Sequence, residues 1–338
     1  MKTKLTKQEK NWILYDVGNS AFTLLAATIL PIYFNYIAGK QGLSDVQYLA
    51  YWGYAVSIAT LLTALAGPVF GTVADTKGYK KPVFTIALGI GAIASVALGF
   101  AKYWLVFLIV FVIAKVGYSV TLVFYDSMLV DVTSEDRMDE VSSQGYAWGY
   151  IGSCVPFVIC LLVVLNAGKI GITMETAMMV SFVIITVWWV IMTLPLLKTY
   201  HQKYYVEKKQ HAFSESFERI GITLKNVKKE KKVFLFLLAF FFYIDGVYTI
   251  IDMATAYGSA LGLSSTGLLL ALLLTQIVAF PFAIIFGRLA KKYSAEKLIT
   301  VCIVAYLGVA IFAIFLHYQW QFWVLAVWVG MFQGGQLS

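Results

Sequence analysis

Gly71-Thr-Val-Ala-Asp75-Thr-Lys-Gly78-Tyr-Lys80-Lys81 joins two long apolar runs, and the fold follows from how it is read. Gly71, with no Cβ, reads as the point where one helix lies close to a neighbour. Asp75 falls at a helix end, where a carboxylate can face the N-terminus of a neighbouring helix. Gly78 permits a tight reversal, while Lys80 and Lys81 hold the loop on the cytoplasmic side of a membrane. Together these five residues are expected to form a gating loop between two membrane-spanning helices.

Composition extends that reading to the whole chain. The 338 residues are 60% hydrophobic and 13% charged, with a mean hydropathy of +0.78, which excludes a soluble globule. Apolar runs of about 20 residues are long enough to cross a bilayer as helices. Ten such runs occur, numbered here spans 1–10: 12–38, 47–73, 82–101, 103–130, 141–165, 176–197, 233–257, 266–287, 297–316 and 320–338. An all-α, multi-pass membrane protein is expected. The basic residues at 1–10 precede a run too long for a signal peptide, which contains Asp16 and Asn19 and lacks a cleavage site, so it reads as a retained first span.

The net charge of +8 is distributed as membrane topology and not as a nucleic-acid surface. Of 26 Lys and Arg, 22 fall in the N-terminus and the even-numbered loops, leaving Lys40, Lys102 and Lys169 opposite and Lys115 inside a span. By the positive-inside rule both termini are cytoplasmic. Cys154, Cys160 and Cys302 all fall within spans without disulfide or metal spacing, and His201, His211 and His317 form no cluster, so no metal or cofactor is expected.

One long connection separates six spans from four. This divides the chain into an N-terminal six-helix bundle (1–197), a basic cytoplasmic linker (198–232) and a partial C-terminal bundle of about four helices (233–338). Within the linker, Phe213, Phe217, Ile220, Leu224 and Val227 recur at helical spacing, which suits either an amphipathic helix on the inner leaflet or a solvated linker. Gly71-x-x-x-Asp75 is echoed by Gly287-x-x-x-Lys291 after span 8, a degenerate repeat of the kind found in transporters built from duplicated bundles.

Intramembrane charge points to the site. Asp16 lies in span 1, Lys115 and Asp126 in span 4, and Asp245 and Asp252 in span 7. Charges at bilayer depth are costly and should face water or each other. Helical spacing puts Asp16, Asn19, Ser20 and Thr23 on one face, Lys115, Ser119 and Asp126 on a second beside Tyr118 and Tyr125, and Asp245, Tyr248, Thr249, Asp252 and Thr255 on a third. At about 1.5 Å per residue, Lys115 and Asp245 both fall near the midplane, so an ion pair between them is expected. A solute or proton pathway through Asp16, Asn19, Lys115, Tyr125, Asp126, Asp245, Tyr248 and Asp252 follows. The alternative is that Lys115 makes a purely structural pair. Gly145, Gly149 and Gly152 leave flat surfaces on span 5 for neighbouring backbones. Trp12, Tyr103, Trp104 and Trp320 read as interfacial anchors without a ligand role.

The loop at 71–81 resembles the signature between spans 2 and 3 of the major facilitator superfamily. Further segments narrow the likeness: Tyr15-Asp16-Val-Gly-Asn19-Ser20-Ala-Phe22, Phe124-Tyr125, Ser142-Ser-Gln-Gly145-Tyr-Ala-Trp-Gly149-Tyr-Ile-Gly152, Tyr243-Ile-Asp245-Gly246-Val-Tyr-Thr249-Ile, and Gln333-Gly334-Gly335-Gln336-Leu-Ser338. Together they resemble the autophagy-related vacuolar amino-acid effluxers and their bacterial relatives over the whole chain. The resemblance implies a major facilitator fold with two six-helix bundles, alternating access and a cavity lined by spans 1, 4, 7 and 10. Asp126-Ser127 stands where that family usually has Asn-Ala, Val130 where Pro is common, and Lys115 is not a family residue. The chain ends within the family's Gln-Gly-Gly-x-Gln-Leu-Ser stretch. A C-terminally truncated form lacking two spans, impaired or inactive alone, is therefore expected.

A secondary transporter of a small polar solute is the leading expectation, with amino acids the favoured cargo and proton coupling compatible with the ladder of carboxylates. No nucleotide-binding loop is present. A membrane enzyme would need a nucleophile–base pair or metal cluster at matching depth, and none is visible, so no enzymatic activity is expected. A non-transporting receptor or scaffold is the remaining alternative. Short loops and a compact N-terminus suit a bacterial plasma membrane. The expected partners are the lipid bilayer, the solute and protons, with the protein a monomer.

Overall fold

The computed structural model describes residues 4–207, 230–290 and 292–337. The apolar pattern at 213–227 and Lys291 of the internal echo lie outside these residues. Every expected span is helical. Span 1 comprises two segments, Lys7–Ala27 and Ile29–Lys40. The others run Asp45–Asp75, Lys80–Ala97, Trp104–Val132, Met138–Leu165, Met174–Thr199, Lys231–Ala260, Ser265–Leu289, Ala295–Ile314 and Gln319–Leu337. Several helices begin where sequence chemistry dictates. Thr6 and Ser44 form capping boxes with Glu9 and Gln47, and Thr173 and Ser264 accept from the N–H three residues on.

The break in span 1 has a local cause. Pro31 lies three residues past Thr28 and has no N–H to give to the carbonyl of Ala27, four residues before it. Thr28 leaves helical geometry (φ −122°, ψ −75°), and its hydroxyl bonds back to the Leu24 carbonyl. The freed Ala27 carbonyl accepts instead from Thr255 of span 7 at 2.6 Å. A helix defect thus becomes a tie between spans distant in sequence.

Spans 1–6 close around a large aromatic core in which Tyr15, Phe22, Phe34, Trp52, Phe111 and Trp189 are almost fully buried. Spans 7–10 form a smaller core around Leu268, Val309, Leu316 and Phe322. Span 5 bridges the two through Ala147 and Tyr150 against Ala279 and Ala283 of span 8. The flat face expected on span 5 is present. A Cβ on Gly149 would sit 2.6 Å from Ser20 Oγ, and one on Gly152 would sit 2.5 Å from Val17 Cγ1, so span 1 lies directly on these glycines. Gly71 differs: a Cβ there would meet nothing within 4 Å. The close approach expected at Gly71 is absent, although Phe70 beside it packs on Phe124 and Ala74 is fully buried.

A repeat not read from the sequence emerges at the helix ends. Span 1 ends in Gly42-Leu43-Ser44 and span 7 in Gly262-Leu263-Ser264. Both glycines adopt the left-handed region (φ +81° and +76°), and each leucine N–H returns 3.0 Å to a carbonyl five residues back. Both serines then cap the next helix. The same turn recurs at Gly171-Ile172-Thr173 after span 5 (φ +74°), so only the Gly-Leu-Ser spelling is particular to spans 1 and 7.

The loop between spans 2 and 3 is built differently from the surface loop expected. Gly78 does supply the reversal, at φ +76°. Lys81 is exposed, but Lys80 is buried and pairs with Asp131 of span 4 at 3.0 Å while donating to the Ser127 carbonyl at 2.9 Å. Asp131 also accepts from the Tyr200 hydroxyl and from the backbone N–H of Lys203 and Tyr204. The stretch 200–207, expected to be free linker, is therefore a strap. Its Val206 N–H donates to the Asp75 carbonyl at 2.7 Å, the Val206 carbonyl accepts from Lys77, and Gln202 bonds both Gly78 and Ala74. The Asp75 side chain is exposed.

Two stability outcomes follow. Lys80→Met leaves the Asp131 carboxylate buried without its cation and is expected to cost about 3–5 kcal/mol. Lys81→Met is expected to be silent, with thermal unfolding in detergent as the readout for both. By the same measurement Gly152→Ala should lower stability by about 1–3 kcal/mol through overpacking against Val17, whereas Gly71→Ala should not.

Candidate solute pathway

Asp16 is the most enclosed of the expected site carboxylates. It is 5% exposed, its Oδ1 accepts from Asn19 Nδ2 at 3.1 Å, and its Oδ2 faces the bare backbone of Gly145 and Gly149, 3.2–3.3 Å from where their Cβ atoms would stand. The small residues of span 5 therefore create the pocket that admits this oxygen.

Span 4 supplies the opposite wall. Trp12 stacks on Tyr125 with ring centroids 4.2 Å apart and donates its indole N–H to the Tyr125 carbonyl at 3.1 Å. Tyr15 leans on the same ring at 4.4 Å and anchors its hydroxyl on Thr121. Trp12 is thus a buried wall of the site and not the interfacial anchor expected. Its place near a helix start suggested the interface, whereas the capped turn at Thr6–Lys10 sets it one turn deeper. Tyr103 and Trp320 are exposed, as anchors would be.

The Tyr125 hydroxyl is buried and meets no hydrogen-bond partner among the described residues. It lies 3.4 Å from the position of a Gly145 Cβ, on the same side as Asp16 Oδ2. Asp126, the next residue, is exposed. Its carboxylate is within electrostatic reach of Asp16, Tyr146 and Tyr248. Tyr146 belongs to this cluster although the sequence reading gave it no role. It packs against the contact of span 5 with span 8, one position after Gly145, and no sequence pattern marked it.

The polar residues of span 7 divide. Asp252 is buried and pairs with Lys115 at 2.7 Å, and Trp52 of span 2 donates to its carbonyl at 3.2 Å. Asp245, expected as the partner of Lys115, is exposed and makes no ion pair among the described residues. Equal depth from the two span ends would match Lys115 with Asp245 only if both helices ran straight across the bilayer. The crossing of spans 4 and 7 instead matches Lys115 with a carboxylate two turns further along. The pair still joins spans 4 and 7, and Tyr248, 47% exposed, lies within electrostatic reach of both Asp252 and Asp126.

Cross-half ties between span 7 and the first spans gather toward the end away from the basic loops. Besides Lys115–Asp252 and Thr255–Ala27, Asn35 donates to Ser259 at 2.8 Å. Toward the basic loops, Val233, Leu235, Phe236, Phe241 and Phe242 of span 7 are exposed. The far side of the Asp16–Asp126 cluster is consequently covered by these span 7 ties, while Asp126 and Tyr248 stay exposed. Two carboxylates among tyrosine faces and an unpaired phenol suit a cationic group, by charge attraction and by cation–π contact.

A model of the "vacuole effluxer Atg22 like" family matches residues 5–338. The "uncharacterized MFS-type transporter YxiO" of Bacillus subtilis (strain 168) is 42% identical over 99% of this chain and 79% of its own length. Autophagy-related protein 22 of Eremothecium gossypii is 23% identical over 91% of this chain and 66% of its own length. Among solved structures, the nucleoside transporter NupG superposes with a TM-score of 0.61 at 16% identity, covering 98% of this chain and 80% of that one. A D-xylose–proton symporter gives 0.62 at 12% identity over 97% and 80%. These likenesses show the major facilitator fold expected from the 71–81 loop.

The closed end generates a direct test. Cysteines replacing Asn35 and Ser259 should cross-link readily. Adding Asp252→Asn, which strands Lys115, should weaken the closed arrangement by about 1.5–3 kcal/mol and slow cross-linking roughly tenfold or more.

Proposed function

The chain belongs to the vacuole effluxer Atg22-like family of the major facilitator superfamily, and from that membership we propose that it carries a small amine-bearing solute, foremost an amino acid, by alternating access. Its relatives are transporters, which are not enzymes. The observation that carries the cargo class is that Asp16, Tyr125, Asp126, Tyr146 and Tyr248 form one cluster within electrostatic reach, with Asp126 and Tyr248 exposed. An ammonium group would take the Asp16 and Asp126 carboxylates, with the free Tyr125 hydroxyl accepting one of its protons. Asn19 holds Asp16 in position.

In this reading the basic loops lie in the cytoplasm of a bacterial plasma membrane, so the structure represents an inward-facing state. The residues 1–197 and 233–338 rock against each other as two bundles. Lys115–Asp252, Thr255–Ala27 and Asn35–Ser259 form the outer latch, which must separate for the cavity to open outward. The matched Gly-Leu-Ser turns support a duplicated architecture of this kind. The loop at Gly71, Asp75, Gly78, Lys80 and Lys81 serves the cytoplasmic side. There the buried Lys80–Asp131 pair fixes span 3 to span 4, and the strap carries any movement of the linker onto Asp75. Proton coupling follows from the same carboxylates. A proton on Asp16 or Asp126 removes the charge that holds the ammonium, so proton entry and cargo release exclude each other at one site.

Counterflow in proteoliposomes against a panel of radiolabelled amino acids tests the reading. Flux of at least one is expected. Asp16→Asn should weaken cargo binding by about 2–5 kcal/mol, and Asp245→Asn should leave binding near the parent value. Saturable binding without counterflow would instead identify a receptor, and indifference to Asp16→Asn would remove the cargo assignment.

A further inference from the structure

Near the far end, the two halves leave a cavity of about 760 Å³ between spans 1, 5, 6, 7 and 8. This falls within the range of about 300–1,000 Å³ typical of small-molecule sites. It is separate from the Asp16–Asp126 cluster, none of whose residues line it. Spans 5 and 8 meet toward the basic-loop end, where a Gly287 Cβ would stand 2.7 Å from Ser143 Oγ, and they part toward the far end to give the cavity its mouth. Leu165, on that mouth, is 47% exposed.

The lining is sorted by depth. Ile29, Ile32, Leu161, Val164, Met178 and Leu269 line the inner part, and every one is apolar. Lys40, Ser259, Ser265 and Thr266 lie at the helix ends that form the rim, beside Gly39, Leu165 and Met174, with Asn35 and Tyr36 about one turn further in. From Ile29 to Lys40 the helix rises about 16 Å, so the gradient runs over about half of the bilayer core. A water-soluble solute gains nothing from six apolar walls at the inner end. A free apolar molecule leaves the polar rim unused. An amphiphile lying parallel to the helices satisfies both.

The rim carries Lys40, and Glu175, next to the lining residue Met174, stands just outside it and adds the opposite charge. Lys40 Nζ donates to Glu175 Oε1 at 2.5 Å and lies 4.3 Å from the Tyr36 ring centroid, while the Tyr36 hydroxyl donates to the same Oε1 at 2.8 Å. This leaves N–H donors on Lys40 and the second oxygen of Glu175 facing solvent, with 56% and 44% of the two side chains exposed. A cation and an anion side by side match a headgroup that itself bears a phosphate and an ammonium.

We propose that this cleft is a binding site for a zwitterionic phospholipid of the far leaflet, one acyl chain lying against Ile29, Ile32, Leu161 and Leu269 and the headgroup spanning Lys40 and Glu175. Both bundles contribute walls, so the lipid favours the arrangement in which the halves are closed at this end. The proposal is independent of the cargo and of the direction of transport.

Photolabelling of the protein in nanodiscs tests it, using phosphatidylethanolamine with a diazirine near its acyl terminus. Adducts should concentrate on the inner lining residues Ile29, Ile32, Leu161 and Leu269. They should fall about tenfold in Thr266→Trp, which fills the mouth from an exposed position, and Lys40→Glu should weaken them as well. Unchanged thermal unfolding checks that each variant is folded, and Ser265→Trp replaces Thr266→Trp if it is not. Unlabelled phosphatidylethanolamine should compete better than phosphatidylglycerol. Adducts spread evenly over exposed apolar positions such as Leu105 and Ile109, or unaffected by the tryptophan, would overturn the site. Equal competition by phosphatidylglycerol would overturn the zwitterionic headgroup.

Discussion

Within a bilayer a carbonyl without a hydrogen-bond donor is costly, and this constraint organises the molecule around one atom, the carbonyl oxygen of Ala27. Pro31 deprives it of its helical partner, and Thr255, in the other half of the chain, supplies the replacement. The tie is neutral and made at a helix break, so separating the halves exposes one hydroxyl and one carbonyl to whatever water enters. Lys115–Asp252 nearby is more demanding, because neither ion can be left dry and unpaired. A closed end built of such contacts is stable only while both halves are present together, and it comes apart most readily when water reaches it. Those are the properties required of a gate.

Much of this was legible in the sequence, for reasons that can be named. Spans are legible because hydrocarbon thickness fixes helix length, and Gly145, Gly149 and Gly152 because glycine at helical spacing on an apolar helix has few uses besides close packing. The acidic face of span 1 survived for the same reason: Asp16 in an apolar run must find water or a partner. What failed depended on relative placement. The Lys115 partner was displaced from Asp245 to Asp252 because depth along one helix does not give the crossing point of two. Trp12 was misassigned because proximity to a helix start says nothing of which way an indole turns. Gly71 was given a packing role by its motif, although its neighbourhood is open. Lys80 and Lys81 are adjacent and identical in type, yet one is buried on Asp131 and the other exposed, since a helix start turns successive side chains by about 100°.

Asp131 shows how one buried charge can collect a fold's loose ends. Its two oxygens receive an ammonium, a phenol and two backbone amides drawn from the start of span 3 and from the strap that follows span 6. Each donor offsets part of the cost of dehydrating the carboxylate, and losing any one raises the burden on the rest. Sequence neighbours of the strap read as linker because they are polar and basic. Their order comes from a residue some seventy positions away, which no local pattern announces.

The two cavities differ in a way that follows from where each sits relative to the closed end. The inner one, on the proposed reading, is entered past exposed Asp126 and Tyr248, with Asp16 enclosed behind them. The far one lies where the halves meet and opens sideways between spans 5 and 8, so its depth is apolar and its polarity is confined to the level of the headgroups. Rocking the halves would exchange these conditions, closing the first and widening the second. A lipid bound across the far cleft therefore opposes the same movement that Lys115–Asp252 opposes, by burial of hydrocarbon where the ion pair does so by charge. The balance between the two orientations accordingly depends on the surrounding leaflet as well as on the side chains of the gate.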